Sequence, residues 1–146
     1  MLMLEEFETY QTWANSITLG MLRHTHTDLG TKAFAHLLAA NLVWGSRLAG
    51  TDPECEVAPS WNLAECEKAM ARITALYRDL PAQLSEDIVV HYKTSTGVAS
   101  SSTAGQIMRQ LWVHNAYHRG EIAGCIKLQG GTVVDTDYII FLRSAK

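Results

Sequence analysis

The sequence predicts an all-α fold, a four-helix bundle with a small β-hairpin inserted between the third and fourth helices. Four segments place apolar residues at spacings of three and four, the pattern of amphipathic helices. Glycine, proline or a polar loop separates each from the next. A short run over 88–94 instead alternates with a period of two. We expect one domain over residues 1–146, because this length suffices for a single hydrophobic core.

The first helix is predicted over about residues 4–26, with Gly30 as its stop. Its apolar stripe consists of Phe7, Tyr10, Ala14, Ile17 and Met21. Thr31 is the expected N-cap of a second helix over 32–49, which Gly50 ends. Residues 51–60 contain two prolines and no helical period, so they are predicted to form a loop.

The third helix is expected to begin at Ser60 or Asn62 and to stop at Pro81, and Asn62 with Glu65 resembles a capping box. The alternating run over 88–94, followed by a turn and by residues from 98 onward, predicts the hairpin. Thr103 with Gln106 predicts a capped last helix over 104–129. A short apolar segment after residue 135 is expected to dock on the bundle.

Composition excludes several classes of function. The net charge of −3 and the scattered basic residues argue against nucleic-acid binding. Three cysteines without CxxC spacing predict reduced thiols, neither a disulfide framework nor a zinc-thiolate site. The N-terminus does not look like a signal peptide, and no apolar run is long enough to span a membrane. We therefore expect a cytoplasmic protein.

Two histidines in the last helix, His114 and His118, are four residues apart and so share one helix face. They follow Ile107 and Leu111 on the predicted apolar stripe, and we expect them to face the bundle interior. Imidazoles in an apolar interior need polar partners, and a shared metal ion supplies one. The alternative is a pair of buried histidines satisfied by hydrogen bonds alone.

His36 is the candidate for a third ligand, because it lies on a different helix on a stripe with Ala40 and Val43. The sequence has no Glu-x-x-His pair of a di-iron bundle and no His-Glu-x-x-His of a zincin. Three protein ligands would leave an open position, as catalytic metal sites do.

The stretch VHNAYHRGEI, residues 113–122, resembles the HxxxHRGQ signature of the DinB/YfiT-like superfamily. The second helix is similar to the superfamily's pattern of a histidine followed by a tryptophan and an arginine, here His36, Trp44 and Arg47. The hairpin, with Tyr92 and Gly97, and the ending over 137–143 also match. Two positions depart from the pattern: Glu121 replaces the more frequent Gln, and Asn41 replaces a frequent Glu.

This resemblance implies a four-helix bundle, often a homodimer, with one divalent zinc, nickel or iron ion held by His36, His114 and His118. It implies a metal-dependent enzyme that either transfers a low-molecular-weight thiol to an electrophile or hydrolyses a small molecule. The competing interpretations are a non-catalytic, stress-associated metal-binding dimer and a structural bundle without metal.

Other polar and aromatic residues receive simpler expectations. Arg119 is expected to point away from the histidines and to pair with an acid. Glu121 is expected to be solvated or ion-paired, and its alternative position is behind the metal ligands. His24, His26 and His91 are not expected to bind the metal, and Cys125 is expected in the core. A pocket or a dimer face is the expected location of three aromatic residues: Trp44, Trp112 and Tyr117.

Overall fold

The computed structural model describes residues 2–80 and 84–144. Four long helices form the bundle: α1 (Leu2–His24), α2 (Asp28–Ala49), α3 (Leu63–Arg78) and α4 (Ala104–Leu128). Between α3 and α4 lie strands β1 (Val89–Lys93) and β2 (Ala99–Thr103), and α5 (Tyr138–Ser144) follows α4. The predicted helical bundle with a hairpin insertion is confirmed. The stop predicted at Pro81 lies outside the described residues.

The boundary between α1 and α2 was predicted wrongly. The N-cap of α2 is Thr27, whose side chain accepts a hydrogen bond from the Gly30 amide at 3.3 Å, and Thr31 lies within the helix. Gly30 therefore belongs to the first turn of α2 and does not end α1. A Cβ at this position would lie 2.7 Å from a Thr27 methyl group, so close packing explains the glycine.

The other helix ends follow the sequence signals. Asn62 with Glu65, and Thr103 with Gln106, form reciprocal capping boxes at the starts of α3 and α4. Gly50 ends α2 with a φ of 72°, a left-handed conformation that glycine adopts without steric cost.

The core lies between all four long helices, and α2 supplies its largest share of buried side chains. This helix packs against both α4 and α3, while α1 closes the bundle against α3 and α4. The helices therefore follow one another around the bundle in the order α1, α3, α2, α4. A site between α2 and α4 consequently lies on the opposite side of the bundle from the contact between α1 and α3.

The hairpin and the C-terminal segment are held by polar and aromatic contacts. Arg47 of α2 donates a hydrogen bond to the Lys93 carbonyl at 2.7 Å and stacks on the rings of Trp44 and Tyr92. On the other side, the hydroxyl of Tyr10 donates to the Thr136 carbonyl at 2.8 Å. Within the described ranges, no helix combines the length and apolarity required to cross a bilayer.

Candidate metal centre

The buried stripe of α4 includes Ile107 and Leu111, as predicted, but it continues through Asn115 and Arg119 instead of His114 and His118. From Leu111 onward its members are three or four residues apart, and the buried residues of the helix are Ala104, Gly105, Ile107, Met108, Leu111, Asn115, Arg119, Ile122 and Ile126. His114 and His118 each precede a member of this stripe by one residue and are only half-buried. The expectation that they face the interior was therefore only partly right, because they lie at the rim of the contact between α2 and α4.

Three histidines converge at this rim. His36 from α2 meets His114 and His118 from α4, and each ring offers a nitrogen such that the three nitrogens lie within 4.8 Å of one another. The Nε2 atoms of His36 and His114 are 3.1 Å apart. Two nitrogens that bind one ion at about 2.0–2.1 Å are separated by roughly 2.9–3.4 Å in octahedral or tetrahedral geometry, so this spacing suits a shared metal.

Hydrogen bonds behind two of the rings fix which nitrogen faces the cluster. His36 Nδ1 lies 2.6 Å from the Val57 carbonyl oxygen. A carbonyl oxygen only accepts, so Nδ1 carries the proton and the Nε2 lone pair is free for a ligand. His118 Nδ1 lies 2.8 Å from Glu121 Oε2, which orients the second ring in the same way.

The third ring is the least satisfied. Nδ1 of His114 is buried and has no hydrogen-bond partner within the described residues. Burial, followed by the neighbouring His118 and His36, lowers the pKa of His114 from 6.5 to about 4. The ring is therefore neutral at pH 7, the protonation state in which imidazole binds zinc, nickel or iron. The three side chains thus fit a divalent metal ion, and their role as its ligands stays a prediction.

Glu121 lies behind the cluster. It was expected to be solvated or ion-paired. In the structure it pairs with His118, and 51% of the Glu121 side chain remains exposed. A carboxylate at Nδ1 increases the basicity of Nε2 and strengthens its bond to a metal. The Val57 carbonyl, which does the same for His36, was missed because a backbone oxygen leaves no signal in residue type.

Arg119 points away from the histidines, as expected, but the predicted pairing with an acid is wrong. Its residue is 5% exposed, with Nη1 donating to Gln11 Oε1 at 2.7 Å and Nη2 to the Tyr10 hydroxyl at 3.1 Å. The guanidinium also lies over the Tyr10 ring. No carboxylate of the described chain forms a salt bridge with it, so its partners are neutral side chains from α1.

Asn115 extends these contacts through the centre of the bundle. It exchanges hydrogen bonds of 2.9 and 3.1 Å with Asn41 of α2, and it donates to Gln11 at 3.0 Å. We call the set Gln11, Asn41, Asn115 and Arg119 the amide–arginine network. It connects α1, α2 and α4 and lies one residue along α4 from the histidine cluster. Asn41, one of the departures from the family pattern, is thereby a buried structural partner.

The remaining candidates lie outside the cluster. His24, His26 and His91 are exposed and take no part in it, as expected. Cys125 was expected in the core, but it is only half-buried. Trp44 packs on Tyr92.

Two aromatic residues of α4 differ in their surroundings. Trp112 stacks on Tyr10. Tyr117 is 72% exposed, and its ring centroid lies 5.1 Å from that of His118, so it places an exposed aromatic side chain beside the cluster.

Comparison with known proteins assigns the chain to a family. The model of the DinB family matches residues 6–146, nearly the whole chain. Searches of curated proteins and of solved structures gave no significant match. Because the family model covers both the bundle and the residues of the histidine cluster, the chain belongs to the DinB family.

Proposed function

We propose that His36, His114 and His118 hold one divalent metal ion and that the protein is a metal-dependent enzyme acting on a small molecule. The convergence of three imidazoles, two of them with Nε2 freed by a hydrogen bond at Nδ1, carries this proposal. An ion in this site supplies Lewis acidity, which lowers the pKa of a thiol or water at its open position.

The surroundings favour a thiol over water as the nucleophile. Hydrolysis benefits from a general base beside the water, and the nearest carboxylate, Glu121, is already bonded to His118. A thiol would depend less on such a base, because a metal ion held by the three histidines would lower its pKa enough for the proton to pass to solvent. His118 retains 16% side-chain exposure at the rim, and the ring of Tyr117 beside it offers an apolar face to an electrophile. We therefore favour transfer of a low-molecular-weight thiol, with hydrolysis second.

A non-catalytic metal-binding homodimer is the second candidate. The outer face of α4 exposes three apolar side chains: Val113 at 69%, Tyr117 at 72% and Leu128 at 86%. A second copy of the chain would bury such a face, and a protein of this kind would bind metal without turnover.

The test uses protein purified without an affinity tag. Element analysis should find about one divalent ion per chain, and the loaded protein should consume a model electrophile with at least one of a panel of cellular thiols. His118→Ala should lose both properties, while His91→Ala, on the exposed hairpin, should keep them. Metal without turnover of any thiol, ester or amide substrate favours the binding protein, and wild-type protein without metal refutes both candidates.

A further inference from the structure

A groove of about 400 Å3 lies between α4 and the segment 133–137 that leads into α5. The helix side of the groove is open because small residues line it: Ala116, Gly120 and Ala123. Tyr10 and Arg119 line it as well, and both residues are at most 5% exposed. The groove therefore extends from the surface to two residues of the core.

The guanidinium of Arg119 has more donors than its protein partners use. Nη1 donates to Gln11 and to Asn15, and Nη2 donates to the Tyr10 hydroxyl. A guanidinium carries five N–H groups. Two of them, the one on Nε and the second on Nη2, therefore have no acceptor within the described chain.

These two free donors are reachable from the groove. Among the described residues, Nε of Arg119 is not one of the unpaired side-chain atoms that are fully buried, so it retains accessible surface. The Tyr10 hydroxyl that accepts from Nη2 donates in turn to the carbonyl of Thr136, which belongs to the opposite wall of the groove. The accessible edge of the guanidinium therefore opens onto this groove.

The charge of Arg119 has no counterion within the described ranges, because all its partners are neutral side chains. A buried charge without an opposite charge is unfavourable, and an anionic group of a bound molecule would neutralise it. Lys127 places a second cation on the helix side, whereas Asp135 and Asp137 line the opposite wall. The groove therefore has a cationic wall and an acidic wall.

We propose that this groove binds a small zwitterion, an α-amino acid with an aliphatic side chain. Its carboxylate accepts from Nε and Nη2 of Arg119, which gives a pair of charge-assisted hydrogen bonds. Its ammonium group faces the acidic wall, and its side chain contacts Val133 and the alanines of α4. The site does not depend on the metal or on the proposed enzyme activity.

Leucine, leucinamide and 4-methylpentanoate form a matched set of probes, because leucinamide lacks the carboxylate of leucine and 4-methylpentanoate lacks its ammonium group. Calorimetric titration of the full chain should show saturable binding of leucine, about 10-fold tighter than that of leucinamide. The advantage over 4-methylpentanoate should be about 3-fold, because the acids of the opposite wall are exposed. The NMR signal of the Arg119 Nε–H group should shift as leucine binds.

Two variants of α4 test the location while they leave Arg119, which stabilises the core, in place. Gly120→Phe should abolish leucine binding, because Gly120 lines the groove and an added side chain meets no atom within 4 Å at its Cβ. Gly124→Phe is the matched control, since its Cβ position is equally open and lies one turn further along the helix, and binding should persist.

Four results would each overturn the proposal. They are no saturable binding of leucine, binding of leucinamide or 4-methylpentanoate as tight as that of leucine, an Arg119 Nε–H signal that does not move at saturation, and leucine binding that survives Gly120→Phe.

Discussion

Two pairs of polar residues on α4, offset by a single position, have opposite environments. His114 and His118 lie half-buried at the rim and meet His36 of α2. Asn115 and Arg119 lie in the core and bond to α1 and α2. A helix turns about 100° per residue, so one step along the chain separates a candidate ligand site from an internal brace.

The pairs also differ in how their polar atoms are satisfied. Protein groups supply partners to Asn115 and Arg119, which makes a network that joins three helices. In the histidine cluster, His114 Nδ1 has no partner among the described residues, and two Nε2 atoms face one another. The hydrogen bonds of Asn115 and Arg119 stabilise the fold. The histidine nitrogens that lack such bonds are instead suited to bind a metal ion.

Loss of the guanidinium is the largest expected effect on stability. Arg119→Ala removes one of the two donors to the Gln11 oxygen, leaves the Tyr10 hydroxyl without its donor and opens a cavity, so the free energy of unfolding should fall by about 3–5 kcal/mol. Urea denaturation of metal-free protein measures it. Arg109, also on α4, forms an exposed ion pair with Glu86, and Arg109→Ala should cost at most about 1 kcal/mol. Equal losses in the two variants would contradict the structural role of the network.

Loss of a histidine should have the opposite effect, with a large loss of metal affinity and a small change in stability. His118→Ala should weaken binding of zinc or nickel by about 100-fold or more, since one of three ligands is removed, which corresponds to about 2.7 kcal/mol. The unfolding free energy of its metal-free form should change by less than about 1 kcal/mol, because the side chain is at the rim. Competition with a chromophoric chelator measures the affinity, and unchanged affinity would exclude His118 as a ligand.

The pH dependence of stability should reveal the burial of His114. Its pKa is about 4 in the folded protein against 6.5 for an unperturbed histidine, so the unfolded chain binds more protons between these values. This contribution to stability is complete above pH 6.5 and is lost as the pH falls towards 4. It amounts to about 1–2 kcal/mol, because water reaches the half-buried ring.

The contribution of His114 is isolated by comparing the stability of the chelator-treated wild type with that of His114→Gln, which has no titrating group at this position. The difference between their unfolding free energies should change over pH 6.5–4. A constant difference over this range would contradict the lowered pKa.

The smallest expected effect concerns Glu121. Glu121→Gln exchanges the carboxylate for the amide more frequent in the family pattern and should weaken metal binding by about 10-fold, because a neutral acceptor makes His118 a less basic ligand. Its unfolding free energy without metal should stay within about 0.5 kcal/mol of the wild type. Calorimetric titration with zinc measures the affinity, and an unchanged value would show that the carboxylate does not act through His118.

The sequence predicted the bundle, the hairpin and two capping boxes because these depend on local periodicity and capping. It misplaced the start of α2 because Thr27 and Thr31 are equally good caps, and Gly30 between them is required by packing. It named the three histidines that meet, partly through the family resemblance. It missed the interior role of Arg119, since a buried cation with neutral partners contradicts the usual expectation that a charge is paired.

Anomalous diffraction from crystals of untagged protein grown with zinc or nickel tests most directly whether the three histidines hold one divalent ion. We predict one strong anomalous peak at the rim between α2 and α4, about 2.0–2.2 Å from one nitrogen each of His36, His114 and His118. No peak at this position at saturating metal, or a peak bound by other residues, would contradict the claim.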